Sequence, residues 1–242
     1  MDRLVYLSMS GAKATMHRQE VLSHNLANVS TNGFRAEMAA LRAVPVRGEG
    51  ASTRVYTLET TIGYDEAPGV VQGTGRPLDV AMSGRAWLAV QALDGTEAYT
   101  RAGALQVNPE GTVVDVQGRP ILGDGGPITV PANARIDIAS DGTINATVGN
   151  GRPQNAGRLK LVTPEAKLDR GLDGLFRPPG GDPLPADAAA RLTGGALEGS
   201  NVNAVETMVA MISAARQFEH QMKMMQNAER KEEQAAKLLG TV

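Results

Sequence analysis

Residues 203–225, NAVETMVAMISAARQFEHQMKMM, decide the fold. Met208, Met211, Ala215, Phe218, Met222 and Met225 recur at 3-4-3-4-3 spacing, which gathers them into one apolar stripe of the coiled-coil kind on a helix. Val202, Val205, Val209 and Ile212 widen the stripe. Asn203 with Glu206 three residues on offers a capping-box start, and Glu219 to Lys223 and Glu233 to Lys237 are favourable i,i+4 pairs. The spacing predicts a helix over 203–239.

The other end carries a matching pattern. Val5, Met9, Ala12 and Met16 follow 4-3-4 spacing, and Leu22, Leu26 and Val29 resume it after a slip, so a helix is expected over 3–28. Asn32-Gly33 follows, where glycine accepts the left-handed conformation of a turn, with Phe34 placed to anchor it. At about 1.5 Å per residue the two helices would reach about 39 and about 55 Å, lengths that suit a bundle. One leads away from its terminus and the other leads back, so the expected fold is α+β, with an antiparallel coiled-coil pair and an all-β domain inserted between its helices. The expected inner seam is Val5, Met9, Met16, Leu22 and Leu26 against Val205, Met208, Met211, Ile212, Phe218 and Met222.

Between the helices the period switches to two. Leu78, Val80 and Met82 alternate, as do Leu88, Val90 and Ala92, then Val114 and Val116, then Ile136 and Ile138. Asn108-Pro109-Glu110-Gly111, Asp124-Gly125-Gly126-Pro127 and Ser140-Asp141-Gly142 punctuate them as turns. The domain reading is therefore 1–35 for the first helix and its turn, 36–77 for an extended connector, 78–200 for a β-rich domain with a Pro/Gly-rich return segment, and 201–242 for the second helix. Gly48-Glu49-Gly50 and Pro68-Gly69 interrupt the connector, although 54–62 has strand character.

Composition narrows function by exclusion. With 24 basic and 26 acidic residues the net charge is −2, which favours neither nucleic acid nor an anionic membrane. Aromatics make up 3% of residues, with Trp87 the single tryptophan, leaving few rings to stack on bases or sugars. Cysteine is absent, which removes thiol catalysis and thiolate metal sites. No run approaches the roughly 18 to 20 apolar residues that span a bilayer. The triplet Ala12-Lys13-Ala14 has the form of a signal-cleavage site, but Ser8, Ser10 and Gly11 interrupt the apolar run before it, so no cleaved signal is expected.

The search for chemistry returns packing and turns. His17, His24 and His220 all lie on the expected helices, without a metal-binding motif. Asp94, Asp124 and Asp141 each sit beside a glycine, where a carboxylate caps its own turn. The methionine-rich face, Met208, Met211, Met222, Met224 and Met225, has the period of a seam and reads as adaptable packing rather than copper ligation. No catalytic residue, cofactor or metal is expected.

His24-Asn25-Leu26-Ala27-Asn28-Val29-Ser30-Thr31-Asn32-Gly33-Phe34 resembles the N-terminal signature of bacterial flagellar rod and hook proteins, with His24 where asparagine is commoner. Gly195-Ala196-Leu197-Glu198-Gly199-Ser200-Asn201-Val202, followed by Met211-Ile212 and Arg216, resembles the C-terminal signature of the same family. Gly75 to Ala81 resembles the start of its β domain, so the likeness covers nearly the whole chain and is weakest in the connector. Within the family, Met9-Ser10-Gly11-Ala12 and Arg216-Gln217-Phe218-Glu219 look most like the proximal rod subunit. The signature residues are Asn25, Leu26, Ala27, Asn28, Thr31, Gly33, Phe34, Ser200, Asn201 and Val202.

The resemblance implies a non-enzymatic structural subunit of the flagellar basal-body rod, crossing the periplasm, exported through the flagellar type III channel without signal cleavage and self-assembling to carry torque. Its implied partners are other copies of itself, other rod subunits, and the export apparatus in transit, with no nucleic acid, small-molecule substrate or membrane insertion. A distal rod subunit is the alternative within the family. A secreted β-domain adhesin or enzyme with helical oligomerisation arms would explain the periodicities but not both signatures.

Overall fold

Helix α1 (Asp2–Ala27) and helix α2 (Ala204–Leu239) stand at the two ends of the chain, and every paired strand between them is antiparallel among the described residues. The computed structural model describes residues 2–45, 55–149 and 151–239, and the expected break at Gly48-Glu49-Gly50 lies outside them. The chain divides into a helical unit (Met1–Val29, Ala36–Asp65 and Val202–Val242) and a β unit (Ser30–Arg35 and Glu66–Asn201).

In the helical unit α1 packs against α2 and against a long hairpin of β1 (Glu37–Pro45) and β2 (Val55–Tyr64). That hairpin occupies ground expected to be an extended connector. Its second strand, VYTLETTIGY, is rich in β-branched and aromatic residues, which favour a pleated surface. Glu37 faces Tyr64, and the register shifts once, between Met38 and Ala39.

The helix seam differs in composition from the expected one. On α2 the buried and half-buried positions include Ala204, Thr207, Met211, Ala214, Phe218, Gln221, Met225 and Ala228, which follow a 3-4 repeat, with Ala210, Ala215 and Met222 half-buried beside them. The repeat shares Met211, Phe218 and Met225 with the methionine-led stripe, but Thr207 rather than Met208 and Ala214 rather than Ala215 are innermost. On α1 the buried residues are Ser8, Ala12, Ala14, Thr15, Val21 and Asn25. A Cβ on Gly11 would stand 3.0 Å from the end of the Gln221 side chain, which lies over the glycine. Met9, Met16, Val205, Met208 and Ile212, expected inside, are about half exposed or more. Val5, Leu22, Leu26, Met211, Phe218 and Met222 are half-buried. The physical reason is angular: the 3-4 repeat admits Met211, Phe218 and Met225 to the covered side of α2, while Val205, Met208 and Ile212 fall on the side that nothing among the described residues covers.

The β unit is dry and conventional by contrast. Its largest sheet has five strands in the order Leu161–Val162, Trp87–Gln91, Glu97–Thr100, Phe176–Arg177, Asp169–Arg170. A three-stranded meander runs Ala134–Ile138, Thr143–Val148, Gln154–Arg158. Val80, Leu88, Val90, Leu105, Val113, Ile121, Ile144, Leu159, Leu161 and Leu175 form one core. Ile136 and Ile138 alternate with exposed Arg135 and Asp137, as a half-buried strand should. Trp87 to Val90 are buried on both faces, and Val116 lies past the end of the strand Val113–Asp115 and is exposed.

Candidate functional site: a buried ion-pair node and an exposed helical face

The β unit begins and ends on one carboxylate. Glu198, 1% exposed, receives Arg35 Nη2 at 2.7 Å and the Gly69 amide at 3.0 Å on Oε1. Arg101 donates to its Oε2 from Nη2 and, at 2.8 Å, from Nε. Arg35 also donates to the Ala67 carbonyl, and Arg101 to the carbonyls of Met82, Gly84 and Ala86. A carboxylate buried this deeply is tolerable because both its oxygens are taken by charged or backbone donors.

The same place gathers the chain ends of the unit. The Gly33 amide donates to the Glu198 carbonyl at 2.8 Å, the Asn201 amide to the Phe34 carbonyl at 3.3 Å, and Asn201 Nδ2 to the Ala67 carbonyl at 2.9 Å. Gly33 lies at φ +69°, and a Cβ there would come within 2.2 Å of the Arg101 carbonyl carbon. Glycine is therefore required by close backbone approach as well as by the turn, six residues beyond the end of α1. Phe34 is buried under the Arg170 guanidinium, 4.4 Å from its ring centroid.

The remaining signature residues have separable roles. Asn25 exchanges two hydrogen bonds with the Glu37 backbone, Nδ2 to the carbonyl at 2.9 Å and the Glu37 amide to Oδ1 at 2.8 Å, so one side-chain amide mimics a strand neighbour at the start of β1. Asn28 returns its Nδ2 to the His24 carbonyl at 2.9 Å and closes the end of α1. His24 pairs with Glu37 at 3.1 Å. Leu26 is half-buried and Ala27 exposed on the last turn of α1, the Thr31 carbonyl accepts the Phe34 amide, and Ser200 and Val202 flank Asn201 half-buried.

Turn chemistry accounts for Asp94 and Asp141 as expected. Asp94 and Asp141 accept from the hydroxyl and amide of Thr96 and Thr143, contacts that hold both carboxyls below the usual carboxylate range. Asp124 sits in the two-residue turn between Leu122–Gly123 and Gly126–Pro127.

The second candidate surface is apolar. Val205, Met208, Val209 and Ile212 are 49 to 71% exposed on the side of α2 opposite its seam, and Tyr6, Met9 and Met16 are similarly exposed on α1. Burying what remains of such side chains contributes on the order of 1 kcal/mol each. No helix among the described residues is long and apolar enough to cross a membrane.

Sequence reasoning did not single out Arg35, Arg101 or Glu198 as a group. Glu198 lies inside the C-terminal signature and Arg35 directly follows the N-terminal one, which was the available signal. Arg101 has no local pattern that marks it.

Comparison with known proteins bears on both surfaces. Residues 6–35 match the family model described as flagella basal body rod protein, 81–146 the D1 domain of flagellar hook protein FlgE/F/G, and 193–238 the flagellar basal body rod FlgEFG protein C-terminal model. The chain is similar to the flagellar basal-body rod protein FlgF of Salmonella typhimurium, 48% identical over 99% of both chains, and to that of Escherichia coli, 47% identical over 99% of both. It is 32% identical to the flagellar basal-body rod protein FlgG of Buchnera aphidicola from Acyrthosiphon pisum, over 89% of this chain and 91% of that one.

Proposed function

Since the chain belongs to the flagellar basal-body rod protein family, and within it is FlgF-like, a structural subunit and not an enzyme, we propose that it polymerises into the proximal rod through its terminal helices and carries torque there. The observation that supports this reading most is the apolar face that the helical unit leaves uncovered: Val205, Val209 and Ile212 are exposed, while the fully buried positions of its helices are small or polar apart from Val21. A helix pair with that arrangement leaves its strongest apolar face for neighbours. Their contacts would be heterologous, and heterologous contacts that do not close propagate as a helix.

The seam itself we read as an antiparallel coiled coil, supported by the 3-4 repeat from Ala204 to Ala228 and the contact of the Gln221 side chain with Gly11. Residues 1–35 and 201–242 would act as one assembly element, 78–200 as the β domain, with the β1–β2 hairpin as part of the 36–77 connector. The node at Glu198 would stiffen the β unit where its terminal segments meet, so that load does not peel one strand at a time. The chain would pass through the type III export channel without signal cleavage, take its place in the periplasmic rod, and contact both its own copies and neighbouring rod subunits. The free monomer would hold its terminal helices weakly, because so little large apolar surface is buried between them.

Ile212→Glu tests the proposal. The variant should fold its β unit normally and fail to enter basal bodies, abolishing swimming. Normal swimming with wild-type incorporation would contradict it.

A further inference from the structure

Three turns of the β unit bring exposed apolar residues together. Leu93, in the turn Ala92-Leu93-Asp94-Gly95, is 96% exposed, and Leu172, in Gly171-Leu172-Asp173-Gly174, is fully exposed at 111%. Arg177 ties the two turns side by side, 2.7 Å from Asp173 and 4.0 Å from Asp94. Gln117, next to exposed Val116, lines the same small cleft as Leu93 and Asp173. Scattered surface leucines need no explanation, but neighbouring turns that both present a bare leucine beside an aspartate form a patch. Its charges, Asp94 and Asp173 against Arg177, with Arg119 of the same cleft offset by Asp115 at 2.6 Å, leave it at −1.

A complementary recess lies elsewhere on the same unit. Pro77, Leu78, Val107 and Ile136 form the apolar wall of a groove of about 600 Å³, rimmed by Arg76 and Arg135. Buried Asp79 stands 3.6 Å from Arg76, so the three charges leave the groove at +1. The patch adjoins the end of the Trp87–Gln91 and Glu97–Thr100 pair at which Gln91 faces Glu97. The groove lies past its other end, where Leu88 faces Thr100 and the chain runs on to the bridge between Ala104 and Asp79. Knob and groove on one molecule, apolar at the centre and opposite in charge, make a contact that one copy cannot satisfy alone.

We propose that Leu93 and Leu172 of one copy seat in the groove between Arg76 and Arg135 of the next, a head-to-tail contact between β units. The inference rests on the reading of the chain as a self-assembling rod subunit. It adds a second, residue-specific interface away from the helices.

The chain has no cysteine, so introduced thiols report cleanly. In cells whose only copy carries Leu172→Cys and Val107→Cys, mild oxidation of isolated basal bodies should yield disulfide-linked species of two or more copies. Either single variant should give at least tenfold less. Leu172 is fully exposed, and Val107, 36% exposed on the groove wall, loses little volume to cysteine, so both variants should fold. Adding Arg135→Glu should lower the cross-link at least tenfold, and Leu93→Lys in the same chain should restore part of it. Cross-linking by the single variants as strong as by the pair, cross-linking to a different protein, or none despite incorporation would overturn the proposal. Ile212→Glu in the same background separates the two readings: if it blocks incorporation while the thiol pair stays silent without it, the β-unit contact is wrong and the rod reading stands. Full incorporation of Ile212→Glu would count against the rod reading itself.

Discussion

The β unit and the helical unit solve opposite problems with the same amino acids. The β unit puts its leucines, isoleucines and valines inside, closes on itself through antiparallel strands, and satisfies its one deeply buried glutamate with two arginines and an amide. The helical unit fully buries alanine, threonine and serine on its helices, half-buries Met211, Phe218 and Met225 beside them, and leaves Val205, Met208, Val209 and Ile212 exposed. One is complete as a monomer. In the proposed assembly the other is half of an interface, and the difference teaches that a hydrophobic stripe read from periodicity identifies a helix before it identifies what covers it.

The contrast can be broken most forcefully at the node. Glu198→Ala leaves Arg35 and Arg101 buried without their counter-charge, and should cost about 3–5 kcal/mol in denaturant unfolding of the β unit. A loss below about 1 kcal/mol would mean the pair is dispensable. Gly33→Ala should follow at about 2–4 kcal/mol, because its Cβ meets the Arg101 backbone and its φ is positive, and the same unfolding experiment reads it. Gly11→Ala meets only the flexible end of Gln221 and should change helical-unit stability by about 1 kcal/mol or less, monitored by far-ultraviolet circular dichroism. Val209→Glu should shift monomer stability within about 0.5 kcal/mol while preventing assembly, since that side chain already faces water.

The smallest effect is electrostatic. The Arg177 hydrogen bond holds the Asp173 carboxyl below the usual carboxylate range. A depressed folded value means the pairing contributes stability above the unfolded value near about pH 4, and loses it as the pH falls through the folded value. Asp173→Asn should cost less than about 0.5 kcal/mol at neutral pH, since the pair is partly solvated, and the difference from wild type should vanish at low pH. A difference that persisted there would point to lost turn packing instead.

Much of this was legible in the chain. The two helices declare themselves by period, and Asn108, Asp94 and Asp141 by turn chemistry that depends on neighbours within a few residues. Met211, Phe218 and Met225 keep their places in the expected stripe, but Thr207 and Ala214 are buried where Met208 and Ala215 are expected, because periodicity ranks residues by hydrophobicity and does not show which side of the helix a neighbour covers. The second strand of the β1–β2 hairpin shows in the strand character of 54–62, but Gly48, Gly50, Pro68 and Gly69 around it give the segment the look of a connector, and no local pattern marks its pairing with β1. The node was beyond local reasoning, since Arg35 and Glu198 are brought together only by the closure of the whole β unit. Their places beside the two signatures gave the sole hint, and the structure supplies the reason: the signatures meet.

Native-state hydrogen exchange on the purified full-length chain tests the central claim most directly, because it reads the stability of both units in one experiment. Amides of the β-unit core, such as those of Leu88, Ile144 and Leu161, should exchange only through global unfolding of that unit. Amides of α1 and α2 should exchange at least a hundredfold faster in the monomer and slow to the core rate on assembly. Helices as protected in the monomer as Leu88 would contradict the account, for they would be finished structures rather than half of an interface.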